Sequence, residues 1–260
     1  MTGLQTVNQH LYDFDDVNAW ALTGWQFVNN GWYYFDPTNA WAQRGWFKSN
    51  AGNWYYFQKN GQAAKGLQQI NGAWYDFDQN NSWANTGWQK LNNTWYYLDP
   101  TSKYLLTGWQ IIDNVPYYFD GNGAQQVGWL QRDHQWYYYM PNGNIATGWQ
   151  KLNGRWYYFD PQTYKAKRGF QQIDGNSYDF DLQNAWAQTG WQYLNQHWYL
   201  FDQNNVWALS GWQQVGGNWY YFNTSSHQML TEDWHTIDGV DYLFNSNGSL
   251  QTGWLSKDHH

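Results

Sequence analysis

Hydrophobic and polar positions along this chain form one short phrase, written again and again. At residues 148–160 it reads GWQKLNGRWYYFD: a Gly-Trp opening, a short alternating run to an Asn-Gly turn, then an aromatic run closed by Asp. The opening Gly recurs at Gly3, Gly24, Gly45, Gly66, Gly87, Gly108, Gly128, Gly148, Gly169, Gly190 and Gly211; Asp233 replaces it in the twelfth copy, and Gly253 starts a truncated last one. Steps of 20 to 22 residues mark a repeat architecture. Each copy predicts one β-hairpin. The first strand is Gly-Trp-Gln-x-(Leu/Ile/Val), and the second is Trp-Tyr-Tyr-Phe-Asp. Between them lie dipeptides such as Asn29-Asn30, Asn71-Gly72, Asn153-Gly154 or Asp238-Gly239, which tolerate the two positive φ angles of a type I′ turn. A lone hairpin is unstable in water, so the copies must stack on one another. No linker interrupts them, which predicts a single elongated all-β domain over residues 1–260 with twelve complete repeats of about 21 residues.

Period-two alternation separates the faces of the second strand. Nine residues after the opening Gly stands Tyr (Tyr12, Tyr33, Tyr75, Tyr157, and Tyr55 where repeat three carries an insertion), and two further on Phe, Leu or Tyr (Phe14, Phe35, Leu98, Tyr139, Phe159). This uniform pair predicts the core stripe. The alternate face varies, from Trp32, Trp156 or Ser177 before the Tyr to Tyr34, Tyr158 or Asp76 after it, and that is where ligand sites are expected. Three repeats change at two places together. Gly-Trp becomes Gly3-Leu4, Gly66-Leu67 and Gly169-Phe170, and the same repeats carry Tyr-Asp-Phe-Asp with Asp13, Asp76 and Asp179. An added Trp follows in each (Trp20, Trp83, Trp186), as it does at Trp41 and Trp207.

Composition changes the picture in one respect. Aromatics are 23% of the residues while the mean hydropathy is −0.89, so Tyr and Phe must supply the buried area that aliphatics usually provide. The net charge of −7 with 13 Lys+Arg argues against a nucleic-acid partner. Cysteine is absent, and the seven His show no spacing suited to zinc, so neither a metal site nor a cofactor is expected. No stretch is long and apolar enough to insert in a membrane, and no secretory leader precedes the first repeat, which predicts a module excised from a larger protein. His259-His260 reads as the start of a purification tag. No nucleophile elbow, phosphate loop or enclosed carboxylate pair is evident, so the chain is expected to bind rather than to catalyse.

The repeated GWQKLNGRWYYFD phrase resembles the cell-wall-binding or choline-binding repeat superfamily, whose relatives include the glucan-binding repeats of glucansucrases. The resemblance covers essentially the whole chain. It implies a β-solenoid of stacked hairpins with ligand sites between successive repeats, on a secreted or cell-surface protein of a Gram-positive bacterium, such as a glucansucrase or cell-wall hydrolase. In the choline-binding branch a cage is built from the Trp of Gly-Trp, the Trp of Trp-Tyr-Tyr, an aromatic of the next copy and a Met. Here such cages would hold Trp149 with Trp156, and Trp88 with Trp95. The chain departs from that pattern by placing Ala (Ala21, Ala42, Ala63, Ala84, Ala166, Ala187, Ala208) where Met is expected.

The glucan-binding branch is similar in phrases such as GLQQINGAWYDFD, and Gln beside an aromatic suits a sugar that stacks its C–H face and shares its hydroxyls. The sequence therefore favours a polysaccharide partner, an α-glucan or cell-wall glycan, over choline, with a structural stalk as the third reading. Ligand contacts are expected at Trp25, Gln26, Trp32, Tyr34, Asp76, Trp88, Gln89, Trp95, Tyr97, Trp109, Gln110, Tyr118, Trp149, Gln150, Trp156, Tyr158, Asp179, Trp191, Gln192, Trp198, Trp212, Gln213 and Trp219. The bland alternative for the Trp residues is packing between hairpins, for the Gln residues a solvated strand position, and for the Asp residues a surface carboxylate tied to a turn.

Overall fold

The computed structural model describes residues 1–253. The copy that starts at Gly253, apart from Gly253 itself, and His259-His260 lie outside the described residues. The expected all-β fold is observed: among the described residues, strands pair as twelve two-stranded antiparallel sheets, each one hairpin of the repeat. The chain divides into two compact units, Met1–Gln126 and Val127–His260, each carrying six hairpins.

Hairpin eight, residues 148–159, shows why the sequence folds this way. Its register pairs Trp149 with Tyr158, Gln150 with Tyr157 and Lys151 with Trp156. The turn residues Asn153 and Gly154 have φ of 49° and 82°, as a type I′ turn requires. Repeats one, seven and ten obey the same geometry without a favoured Gly. Gln9, His134 and Gln196 stand at φ 65°, 59° and 68°, held there by strand pairing on both sides. The opening Gly148 has φ of 64°, so the chain enters each first strand through a left-handed residue.

The segment after the second strand, which reads as a loose polar loop in sequence, is ordered by the closing Asp. Asp160 Oδ1 accepts the N–H groups of Gln162 and Thr163 at 3.0 and 2.8 Å, and Oδ2 pairs with Lys167 Nζ at 2.9 Å. The Lys167 contact, then those N–H bonds, hold its carboxyl well below the usual carboxylate range. Further along, Ala166 bridges to Phe159 of its own hairpin. The same Ala166 donates its N–H to the carbonyl of Trp136, in the preceding hairpin, at 2.8 Å. Equivalent bonds join Ala63 to Trp32, Ala84 to Trp54, Ala187 to Trp156, Met229 to Trp198 and Leu250 to Trp219. Each tail thus covers the open edge of the previous copy's second strand, satisfying backbone groups that an isolated hairpin would expose.

The expected core stripe is buried. Phe35, Phe77, Leu98, Phe119, Tyr139, Phe159, Phe180 and Phe222 are each 0% exposed. Burying one such side chain contributes about 1.5–3 kcal/mol, and every repeat but the first, where Phe14 is half-buried, brings one. The core is consequently a series of small clusters, such as Tyr157, Phe159 and Ala166 packed with Ala146 and Ala185, rather than one broad interior.

Candidate ligand-binding site

Three aromatic rings meet between successive hairpins, in both units. In the second unit Trp149 lies 6.2 Å from Trp156 at 90° and 4.7 Å from Tyr178 of the next repeat. The arrangement recurs as Trp129, Trp136 and Tyr157, as Trp191, Trp198 and Tyr220, and as Trp212, Trp219 and Tyr242. In the first unit it is built by Trp25, Trp32 and Tyr55, by Trp46, Trp54 and Tyr75, and by Trp88, Trp95 and Tyr117. The right angle between the two Trp rings follows from the hairpin. They sit on opposite strands, two residues apart in register, so one presents a face where the other presents an edge. Two of these corners open as cavities. One of about 330 Å³ is lined by Trp212, Trp219, Tyr242 and Leu250; the other, of about 250 Å³, by Trp129, Trp136, Tyr157, Asn184 and Trp186.

The third wall is the uniform Tyr that sequence periodicity assigns to the core. It has both duties: Tyr157 and Tyr178 are 8% and 5% exposed, yet their rings pack against Trp129 and Trp149 of the copy before. Tyr34, Tyr97, Tyr118 and Tyr158 sit elsewhere. They are the cross-strand partners of Trp25, Trp88, Trp109 and Trp149, packing edge-on against them at 5.2, 5.1, 5.7 and 5.2 Å. In hairpin six, Pro116 occupies the second Trp position, so that hairpin supplies only Trp109.

A further wall comes from two repeats downstream, and it bears on the missing Met. Trp186, the added Trp of repeat nine, lines the Trp129 corner, and the indole N–H of Trp136 donates to the carbonyl of Gln183 in the same tail at 2.9 Å. Trp83 of repeat four packs likewise with Trp25, Trp32 and Tyr55, and Trp32 donates its indole N–H to Asn80 O at 3.0 Å. Tyr104 stands 6.4 Å from Tyr75, beside the Trp46 corner. Ala63 and Ala166 therefore do not leave those corners short of a wall. The Trp191 corner has a Met instead: Met229, at the place that Ala166 holds beside the Trp129 corner, clusters with Trp191 and Tyr220. The added Trp residues are visible in the sequence, but the corners they reach, two repeats earlier, are not.

The glutamines have a structural task. Gln26, Gln89, Gln110, Gln150, Gln192 and Gln213 each donate the side-chain amide to the carbonyl three residues earlier, at 2.7–3.2 Å. Gln5, Gln68 and Gln171 do the same at 2.9–3.0 Å. With one of its N–H groups the amide braces the backbone just before the left-handed entry residue.

The three aspartates do not follow the bland alternative of a surface carboxylate. Asp13, Asp76 and Asp179 are 5%, 4% and 6% exposed. Each is the cross-strand partner of the residue that replaces Trp: Leu4 with Asp13, Leu67 with Asp76, Phe170 with Asp179. The paired changes in sequence are therefore one change in space, a Trp–Tyr contact exchanged for an apolar–carboxylate pair. Burial raises all three above the ordinary carboxylate value, and Asp179, which also faces the charge of Asp181, is pushed up to about 6.

Comparison with known proteins follows from this geometry. Models of the choline-binding repeat match residues 22–66 and 106–147, and models of the putative cell wall binding repeat match residues 86–101, 147–162, 189–204, 210–225 and 233–250. Among solved structures, CbpJ from Streptococcus pneumoniae TIGR4 superposes with a TM-score of 0.68 at 27% identity, over 95% of this chain and 99% of that one. Choline binding protein F from Streptococcus pneumoniae gives 0.64 at 24% identity, over 96% and 98%. The modular autolysin LytC of the same species gives 0.60 at 19%, over 89% of this chain and 53% of that one; the last two likenesses speak to fold alone. No curated protein matches by sequence.

Proposed function

The chain belongs to the choline-binding and cell-wall-binding repeat superfamily, and from that premise we propose that it is a non-catalytic module that attaches to choline-bearing cell-wall polymer through its inter-repeat aromatic corners. The observation that carries the reading is the repeated three-ring corner, such as Trp149, Trp156 and Tyr178. Three aromatic rings meet there, and no carboxylate or amide is needed to bind a quaternary ammonium, which has no N–H to donate. Cation–π attraction to such a group contributes about 0.5–2 kcal/mol per ring. One corner is therefore a modest site, and several on one chain give avidity. The net charge of −7 draws cations to the surface.

On this reading the ligand-contact residues are Trp25, Trp32, Trp88, Trp95, Trp149, Trp156, Trp191, Trp198, Trp212 and Trp219, with the downstream Tyr of each corner. The glutamines and the cross-strand tyrosines support them. A glucan as the principal ligand has weaker support, because the Gln residues have a structural task of their own, each bracing a backbone carbonyl with one amide N–H. The parent protein acts at a Gram-positive cell surface. Retention of the chain on immobilised choline, with release by free choline but not by isomalto-oligosaccharide, tests the proposal; passage through the choline matrix with retention on dextran overturns it.

A further inference from the structure

Asp179 stands apart from the aromatic corners. It lines a cavity of about 660 Å³ in the second unit, together with Phe170, Asp181, Gln188, Gln192 and Tyr193. It is 6% exposed, and its carboxylate accepts no hydrogen bond from any described residue. Its two counterparts are furnished differently. Asp76 is held by Asn85 Nδ2 at 2.6 Å, an internal donor that satisfies the buried charge. The residue equivalent to Asn85 in repeat nine is Gln188, one methylene longer, and its amide reaches past Asp179 to Asp181 Oδ2 at 3.4 Å. The position equivalent again in repeat one is Leu22, whose N–H donates to Asp13 O and whose side chain offers no donor.

What surrounds Asp179 decides the class of ligand. Gln192 gives one amide N–H to Thr189 O at 3.1 Å and Gln188 gives one to Asp181 Oδ2 at 3.4 Å, so neither amide donates to Asp179. Asp181 Oδ1 is taken up by the N–H groups of Gln183 and Asn184. Among the described residues no Lys or Arg lines the cavity, and Arg168, at its edge, is bonded to Leu182 O at 3.2 Å. Phe170, where other repeats carry Trp, leaves a half-exposed ring beside the carboxylate. The lining thus holds two carboxylates, one of them without a donor, beside one aromatic face. A quaternary ammonium has no N–H to offer the Asp179 carboxylate, and a neutral sugar brings no positive charge to it. A buried carboxylate without a partner is costly, and a ligand carrying both positive charge and N–H donors recovers that cost.

The geometry points to a second, chemically distinct site on this chain: a pocket in repeat nine, centred on Asp179, that binds a protonated primary amine. It does not depend on the choline reading, since it shares no wall with the aromatic corners of repeats seven and eight.

The experiment titrates the full chain with ethanolamine, N,N-dimethylethanolamine, choline and glucose, following the backbone amides of Phe170 and Gln192 by NMR. Ethanolamine is expected to shift both amides saturably. Affinity should fall at least tenfold along the methylation series, and glucose should leave both unmoved. Asp179→Asn should weaken ethanolamine at least tenfold while leaving choline-induced shifts at the indole of Trp156 unchanged, which shows that the variant is folded; Asp76→Asn should not affect ethanolamine binding. The proposal is overturned if ethanolamine moves neither amide, if Asp179→Asn binds it as the unaltered chain does, or if choline or glucose occupies the site as well as ethanolamine.

Discussion

Asp179→Asn is expected to stabilise repeat nine at neutral pH, and the size of the effect follows from burial. The folded-state pKa of about 6 lies above the ordinary value of 3.8, so the folded chain retains a proton that the unfolded chain has released. The contribution of this residue to stability is therefore greatest below the unfolded value, declines as pH rises through that window, and stays at its lower level above about 6. The difference corresponds to at most about 3 kcal/mol. Asn has the same shape without the charge, and removes the repulsion from Asp181 as well. Because a repeat array does not unfold in one step, the appropriate readout is local: amide hydrogen exchange in hairpin 169–180, compared between the two proteins at each pH. At pH 7.5 the variant should exchange more slowly there, by up to about a hundredfold. At pH 4 the two should converge. Equal exchange at pH 7.5, or faster exchange in the variant, would refute the assignment of a costly buried charge. Asp76→Asn should gain less, because that change also disturbs the 2.6 Å bond from Asn85.

Other substitutions separate the structural from the ligand-facing positions. Trp186→Ala removes the downstream wall of the Trp129 corner; choline affinity there should fall about 2–30-fold, read at the indole N–H of Trp136, with other corners unaltered. Gln150→Ala removes the brace on Thr147 O and should lower the urea midpoint by about 1 kcal/mol equivalent without changing choline affinity. Phe159→Ala, at a fully buried position, should cost about 3–5 kcal/mol, seen as loss of protection across hairpin 148–159.

The hairpins, their period and the buried stripe were legible because each depends on residues within one copy: the strand alternation, the turn dipeptide and the closing Asp. The paired loss of Trp and gain of Asp was also visible, but its cause was not. Leu67 and Asp76 are nine residues apart, and only the hairpin register places them opposite each other. The corners were half legible. Trp149 and Trp156 belong to one hairpin, but Tyr178 comes from the next and was assigned to the core by its uniformity. Trp186 was hidden further still, since nothing local to it indicates contact with a corner two copies earlier. Gln150 misled for a physical reason. An amide beside an aromatic suits a sugar, and only coordinates reveal that Thr147 O has claimed its N–H.

The central claim is that the aromatic corners recognise positive charge without hydrogen bonds. It is tested most directly by titrating the full chain with choline and, in parallel, with its neutral isostere 3,3-dimethyl-1-butanol, following intrinsic Trp fluorescence. The two ligands match in shape and differ in charge, so cation–π attraction is the term that separates them. Choline should produce a saturable change and the isostere little or none at the same concentrations. Equal responses to both, or none to choline with a saturable response to isomalto-oligosaccharide, would contradict the account.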